Sequence, residues 1–142
     1  FDNNQTPTLS ANKDVQMFSG NSSAYAVPGS DVVYSITVEN TGSGPVDADT
    51  LVLIDAMPSE ISFMAGSVTF TDANSGLTFD PALDVAFSKA AAAPASFAAC
   101  TDSPSGAYDP DITFICLAPK GTMSEGTITP SSFTIEFRAA VK

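Results

Sequence analysis

The clearest pattern along the chain is the alternation of apolar and polar residues in the stretch from Pro28 to Gly42. A Pro-Gly turn opens this stretch, and an Asn-Thr-Gly-Ser-Gly-Pro turn closes it. Between the turns one parity is apolar, with Val32, Tyr34, Ile36 and Val38. Successive side chains of a β-strand point to opposite faces of the sheet, so the pattern predicts a strand with one buried and one wetted face.

The same alternation predicts a strand near each end of the chain. In residues 8–18 the apolar face carries Leu9, Ala11, Val15 and Met17. In residues 133–141 every second residue is apolar. Shorter apolar runs bounded by turn residues predict further strands, around 46–54, 68–71, 77–79, 83–87 and 112–116.

These patterns together predict an all-β protein. About eight or nine short strands, with turns every 8–12 residues and no amphipathic helix, favour an antiparallel Greek-key sandwich. A chain of 142 residues fits one domain. We therefore divide the chain into an N-terminal extension, residues 1–8, and a single β-sandwich domain, residues 9–142.

Lys13 interrupts the apolar face of the first predicted strand. An inward charge on an edge strand can prevent unwanted pairing, and the long side chain can reach water. The alternative is an intramolecular isopeptide bond from Lys13 to an Asn or Asp side chain, catalysed by a nearby carboxylate. The sequence does not identify the partner of such a bond.

The charge is strongly acidic, with five basic and sixteen acidic residues and a net charge of −11. Nucleic-acid binding needs clustered basic residues, and the five here are scattered, so no nucleic-acid partner is expected. No apolar run approaches the roughly 18–20 residues of a membrane span, so no membrane insertion is expected. The chain begins with Phe1, which a cleaved secretory signal or a trimmed chain would both explain.

Cys100 and Cys116 are the two cysteines of the sequence. Their spacing matches no zinc pattern, and two ligands without His do not complete a tetrahedral site. In a secreted chain the pair predicts one disulfide, and two buried free thiols are the alternative.

The sequence offers little chemistry for catalysis. It contains no His, which removes Ser-His-Asp and Cys-His arrangements and the commonest general base. We therefore expect no enzyme, no catalytic residues and no cofactor. Two carboxylate pairs, Asp47 with Asp49 and Asp109 with Asp111, are interpreted as solvated loop residues. Calcium is the alternative at each pair, although neither matches the Asp-x-Asp-x-Asp-Gly loop pattern.

Several motifs resemble a bacterial and archaeal cell-surface repeat known as domain of unknown function eleven. They are the Pro28–Gly42 strand and its flanking turns, Asp55-x-Met57-Pro58, Phe63-x-x-Gly66-Ser67 and Leu117-Ala118-Pro119-x-Gly121. The resemblance extends from about Leu9 to Lys142 and is loose at about 72–111, where this chain carries an enlarged loop insertion with a cysteine. It implies an immunoglobulin-like sandwich at a cell surface and supplies no catalytic residues.

Two hypotheses for the function follow. The first is a secreted structural subunit that assembles with itself into an extracellular filament or surface layer. One subunit's N-terminal segment would complete a neighbour's sandwich, with Leu9, Ala11, Val15 and Met17 as the exchanged side chains. The second is a monomeric cell-surface adhesion module, in which the loop at 89–111 binds a glycan or a surface protein.

Overall fold

The computed structural model of the chain describes residues 5–142. Within this range the chain forms nine β-strands and one short 3-10 turn at Phe97–Ala99, with no α-helix. The strands are β1 Leu9–Met17, β2 Asp31–Asn40, β3 Leu53–Ala56, β4 Ile61–Met64, β5 Thr69–Ala73, β6 Val85–Ser88, β7 Tyr108–Asp109, β8 Phe114–Leu117 and β9 Ser131–Val141. The predicted all-β class is confirmed.

The strands form two antiparallel sheets. The larger sheet has the order β1-β2-β9-β4-β7, and β5 also pairs with β9. Because β2 occupies one edge of β9 along its length, β4 and β5 share the other edge. The smaller sheet has the order β3-β8-β6. From β2 onward the chain changes sheet at every connection except β4 to β5.

One hydrophobic core lies between the inward faces of the two sheets. Strand β2 supplies one apolar parity, and β9 supplies the alternate positions from Phe133 to Ala139. In the smaller sheet Ile115 and Leu117 of β8 are fully buried in the same core. Aromatic rings join the sheets, since Phe63 of β4 lies 5.0 Å from Phe87 of β6 between ring centroids. The predicted inward parity of β2 and β9 is confirmed.

The strand predicted at 46–54 is shorter and begins later than expected. Only Leu53–Ala56 pairs in the smaller sheet, and Val52 remains 43% exposed. The preceding segment bonds elsewhere, because Val46 N–H donates to the Met123 carbonyl and Asp49 N–H donates to the Gly121 carbonyl. These bonds pair the segment with the connection before β9 and keep it out of the sheet.

The region interpreted as an insertion, at about 72–111, includes the strand predicted around 83–87. It contains β6, whose Val85 and Phe87 pack against the core, and the short strand β7. The segment between these strands, residues 89–107, is tied to β8 by the Cys100–Cys116 disulfide. Cys116 is fully buried. The predicted disulfide is confirmed, and it holds the segment against the smaller sheet.

Removing the disulfide should destabilise the domain measurably. Cys100 and Cys116 are 16 positions apart, and cross-linking a loop of this size stabilises a protein by about 3 kcal/mol in the loop-entropy description. We expect the Cys100→Ser/Cys116→Ser variant to lose about that much free energy of unfolding in a urea titration. The matched control is wild-type protein under reducing conditions, which should show the same loss. Equal stability with and without reductant would contradict this prediction.

Candidate functional site

The most unusual element is β1. All of its residues pair with β2, yet only Met17 packs against the hydrophobic core. It is the outermost strand of the larger sheet, and its register with β2 runs unbroken from Leu9 opposite Asn40 to Met17 opposite Val32. Leu9 is 44% exposed and Val15 is 50% exposed, while Met17 packs partly against the core. The four predicted exchange residues therefore share one face, but most of that face is open to solvent.

Lys13 lies in the middle of this open face and reaches the smaller sheet. Its Nζ is 2.8 Å from Asp55 Oδ2 of β3, donates to the Ala56 carbonyl at 3.3 Å and lies 4.8 Å from the Tyr34 ring centroid. Burial, followed by the negative charges of Asp55 and Glu60, raises the pKa of the Tyr34 phenol. The ammonium group thus occupies an acidic gap between β1 and β3 and joins the two sheets.

The sequence did not identify the partner of Lys13. In the structure this partner is the Asp55 carboxylate. Both side chains keep contact with water, with 31% of the Lys13 side chain and 17% of the Asp55 side chain exposed. Lys13 Nζ and Asp55 Oδ2 are 2.8 Å apart, the distance of a charge-assisted hydrogen bond, and the ring face of Tyr34 attracts the ammonium group. The geometry therefore favours an ion pair over the isopeptide alternative.

An N-terminal arm, residues 5–8, continues from β1 and packs against the turn that follows β2. Thr8 N–H donates to Asn40 Oδ1 at 3.0 Å, and the Thr8 carbonyl accepts from Thr41 N–H at 3.0 Å. The Thr6 carbonyl accepts from Gly44 N–H at 3.1 Å. With the bond from Thr6 N–H to Ser43 Oγ, four hydrogen bonds hold the arm to one turn. Residues 1–4 of the predicted extension lie outside the described residues.

Two glycines in that turn are required by the close approach of the arm. A Cβ on Gly42 would lie 2.4 Å from both the Thr6 carbonyl oxygen and the Thr8 nitrogen, and one on Gly44 would lie 2.6 Å from the Gln5 carbonyl carbon. Our sequence interpretation predicted a turn here and missed its second role. The sequence signal was the pair of glycines two residues apart, shortly after a predicted strand that ends in asparagine.

The connection between β1 and β2, residues 18–30, is long and anchored at its ends. Phe18 N–H donates to the Asp31 carbonyl, and the Asn21 side chain bonds both backbone groups of Asp31. The Arg138 guanidinium bonds the Asp31 carboxylate and stacks 3.5 Å from the Phe18 ring centroid. Between these anchors and β2, Tyr25 and Val27 are exposed.

The loop at 89–111 contains one buried carboxylate, that of Asp109. Burial would raise the pKa of the Asp109 carboxyl. The backbone N–H groups of Ser105 and Asp111 and the Lys89 ammonium outweigh burial, so the pKa falls well below its ordinary value. Lys89 Nζ lies 2.9 Å from Asp109 Oδ2. Asp109 is fully buried, so this part of the loop is a folded support for β4 and β8.

Neither predicted calcium pair gathers ligands around an open position. Asp49 Oδ1 accepts from Gly121 N–H at 2.7 Å, and both Asp109 oxygens accept from protein donors. Among residues 5–142 no group of three or more acidic, Cys or His side chains is placed to hold a metal ion. The same residues contain no helix long and apolar enough to cross a membrane.

A small apolar cavity lies where the sheets meet on the far side from β1. It has a volume of about 230 Å³ and is lined by residues that include Val68, Val85, Phe87 and Pro104. Pockets for small organic ligands usually measure about 300–1,000 Å³ and contain convergent polar groups. This cavity is smaller and mainly apolar, whereas a cleft of about 550 Å³ lined by Lys89, Pro110 and Asp111 of the loop lies within that range. The cleft is the candidate ligand site for the second hypothesis.

Comparisons with protein-family models, curated proteins and solved structures give no match to this chain. The candidate site therefore rests on its own geometry, the open face of β1, the Lys13–Asp55 pair and the turn that holds the N-terminal arm.

The role of Gly42 can be tested by placing one methyl group in the path of the arm. We expect Gly42→Ala to lower the free energy of unfolding by about 1–2 kcal/mol, because displaced arm residues lose their hydrogen bonds. The same substitution in protein lacking residues 1–8 should change stability by less than about 0.5 kcal/mol, since the nearest atoms are gone. If Gly42→Ala lowered the free energy of unfolding equally in both proteins, Gly42 would be required by the turn itself and not by the arm.

The buried Asp109 carboxylate should make stability fall in acid. Its pKa is lower in the folded than in the unfolded chain, so its contribution is present above the ordinary Asp pKa of 3.8 and is lost as the pH falls below it. We expect Asp109→Asn to be less stable than wild type at pH 7 and to lose less stability between pH 5 and pH 2. Asp111→Asn, two residues along and exposed, is the control and should follow wild type.

Proposed function

We propose that this protein is a secreted structural subunit that assembles with itself into an extracellular filament or surface layer, by exchange of β1 between neighbours. The observation that carries the proposal is that β1 is completely paired through its backbone but contributes little buried side-chain surface. All nine of its residues pair with β2, yet none belongs to the buried core, and only Met17 packs partly against it. Backbone pairing is the same whichever copy supplies the strand, so a neighbour's β1 can replace the chain's own.

The core can survive the departure of β1. Its buried members come from β2, β4, β8 and β9 and from segments between the strands. Without β1, the edge of β2 has a row of unpaired backbone N–H and C=O groups, while the hydrophobic core beside it keeps all its buried residues. Such an edge is a template for strand addition, and it is the acceptor that the proposal requires.

The connection at 18–30 is long enough to carry β1 to a neighbour. Extended backbone covers about 3.3 Å per residue, so the connection spans up to about 43 Å once the contacts of Phe18 and Asn21 with Asp31 are released. When each subunit donates to the next and accepts from the one before, the contacts do not close, and a fibre results.

Secretion is supported by the disulfide and by the charge. Disulfides form and persist in oxidising compartments outside the cytosol. The net charge of −11 keeps subunits apart until a specific contact forms. We further propose that the two sheets have the immunoglobulin-like Greek-key connection that the sequence predicts. The likeness to the surface repeat of unknown function remains a prediction that is consistent with this role.

Two proline substitutions distinguish strand exchange from simple addition to the β1 edge. In an antiparallel pair alternate residues direct both backbone groups to the partner strand. Thr8 and Phe18, which flank β1, bond to the backbone of Thr41 and Asp31. The backbone groups of the even-numbered residues of β1 therefore point to β2, and those of the odd-numbered residues point to the open edge. Proline removes the N–H donor, so its position decides which ladder is broken.

We expect Asn12→Pro to abolish filaments, because residue 12 donates to β2, and Ala11→Pro to retain them. Deleting residues 1–18 should also abolish them while leaving a cooperative unfolding transition. The measurement is negative-stain electron microscopy of secreted protein, with circular dichroism to verify folding of each variant. The reverse proline result would place assembly at the open edge, and filaments from the deletion variant would refute exchange of β1.

A further inference from the structure

We propose that the Lys13–Asp55 ion pair forms between two different copies in the assembled state, where it selects the register of the incoming β1. This inference rests on the proposed exchange of β1 and identifies its recognition contact. The donor copy supplies Lys13, and the acceptor copy supplies Asp55 at the free edge of β3. Within residues 5–142, β8 is the one strand that pairs with β3, so Asp55 is open to an incoming side chain.

Backbone pairing alone does not choose a register for β1. A strand that slides by two residues keeps the same face inward and keeps an equivalent ladder of hydrogen bonds. The Asn40–Thr8 contact binds a backbone N–H, which recurs along the strand. Leu9 and Val15 are about half exposed, so a slip of two residues changes their burial little. These features hold β1 firmly but discriminate weakly between registers.

Lys13 adds discrimination to the partial packing of Met17 against the core. Only in the observed register does its ammonium group meet Asp55 Oδ2, the Ala56 carbonyl and the Tyr34 ring together. A slip of two residues brings Ala11 or Val15 to that position and leaves the Asp55 carboxylate, 17% exposed, without its cation. An unpaired carboxylate at such a site is destabilising, and this penalty falls on every wrong register.

The charge distribution supports this role for Lys13. It is the only basic residue before Lys89 in the sequence. The gap that it enters is acidic, since Asp55 and Glu60 both act on the Tyr34 phenol there. A donor strand therefore carries one positive charge into a negative gap on an acidic protein. Complementary charges of this kind favour the correct partner and disfavour an incorrect alignment.

The experiment exchanges the two charges between copies of the full-length protein. Lys13→Glu and Asp55→Lys each place like charges opposite one another, so each variant alone should raise the critical concentration for filaments at least about tenfold. An equimolar mixture of the two variants should restore filaments. The carboxylate introduced by Lys13→Glu then meets the ammonium group introduced by Asp55→Lys, and the two unaltered side chains meet at the next contact. The double variant should also form filaments alone.

Each outcome tests either this inference or the proposed function on which it rests. If the double variant assembles but the mixture does not, the pair forms within one chain and the inference is wrong. If the single variants assemble as well as wild type, exchange stands and the ion pair has no role in register. If wild-type protein forms no filaments, the proposed function fails and the inference with it. A single-chain mass lower by one water would show an amide within one chain and would contradict the inference, whereas covalently linked chains would show an amide between copies.

Asp14→Lys provides the control for charge alone. Asp14 lies next to Lys13 on the opposite face of β1, and its carboxylate bonds only the N–H of Val15 among residues 5–142. The substitution changes the net charge by the same amount as Asp55→Lys. It should leave the critical concentration within about twofold of wild type, as expected for a surface change away from the contact.

Discussion

The pairing of β2 with β9 is the interaction on which the rest of this structure depends. The two strands match residue for residue from Asp31–Ala140 to Asn40–Ser131. Their apolar parities face the same way and form one wall of the core, against which β8 packs. Once this pair is formed, the remaining edge of β9 orders β4 and β5, and the remaining edge of β2 becomes the site for β1.

This arrangement divides the protein into a part that holds itself together and a part that is only attached. Burial of large apolar side chains stabilises the first part, at about 1.5–3 kcal/mol for each Val, Leu, Ile or Phe. The second part, β1 with its arm, depends on backbone hydrogen bonds, whose net contribution is about 1 kcal/mol each. Such a difference within one domain permits one segment to leave while the rest stays folded.

The sequence was most informative where local periodicity and burial agree. The alternation in residues 31–40 and 131–141 predicts β2 and β9 because both strands have one face in the core. The disulfide also followed from composition. Strand β3 was misplaced because its start depends on bonds from Val46 and Asp49 to a segment roughly half the chain away, which no local pattern records. The short strand predicted around 83–87 is present as β6, because its apolar residues pack against the core.

The candidate site was only partly predictable for the same reason. Lys13 was conspicuous as a charge on an apolar face, but its partner Asp55 lies in another sheet and 42 positions along the chain. The glycines at 42 and 44 indicated a turn, and their contact with the arm depends on how β1 docks. The sequence therefore identified Lys13 and the two glycines, whereas their partners, Asp55 and the N-terminal arm, are determined by the tertiary arrangement.

Asn40 also bears on how quickly a vacated subunit could accept a new strand. Its Nδ2 donates to the Gly44 and Ser124 carbonyls, and its Oδ1 accepts from Gly42 N–H as well as from Thr8 N–H. Three of these four bonds involve no residue of the arm, so the turn keeps its shape when the arm is absent. The acceptor turn is therefore preorganised for the proposed exchange, and little entropy is lost in ordering it when a strand binds. If β1 is exchanged as proposed, release of the donor strand is then expected to limit the rate of assembly more than preparation of the acceptor.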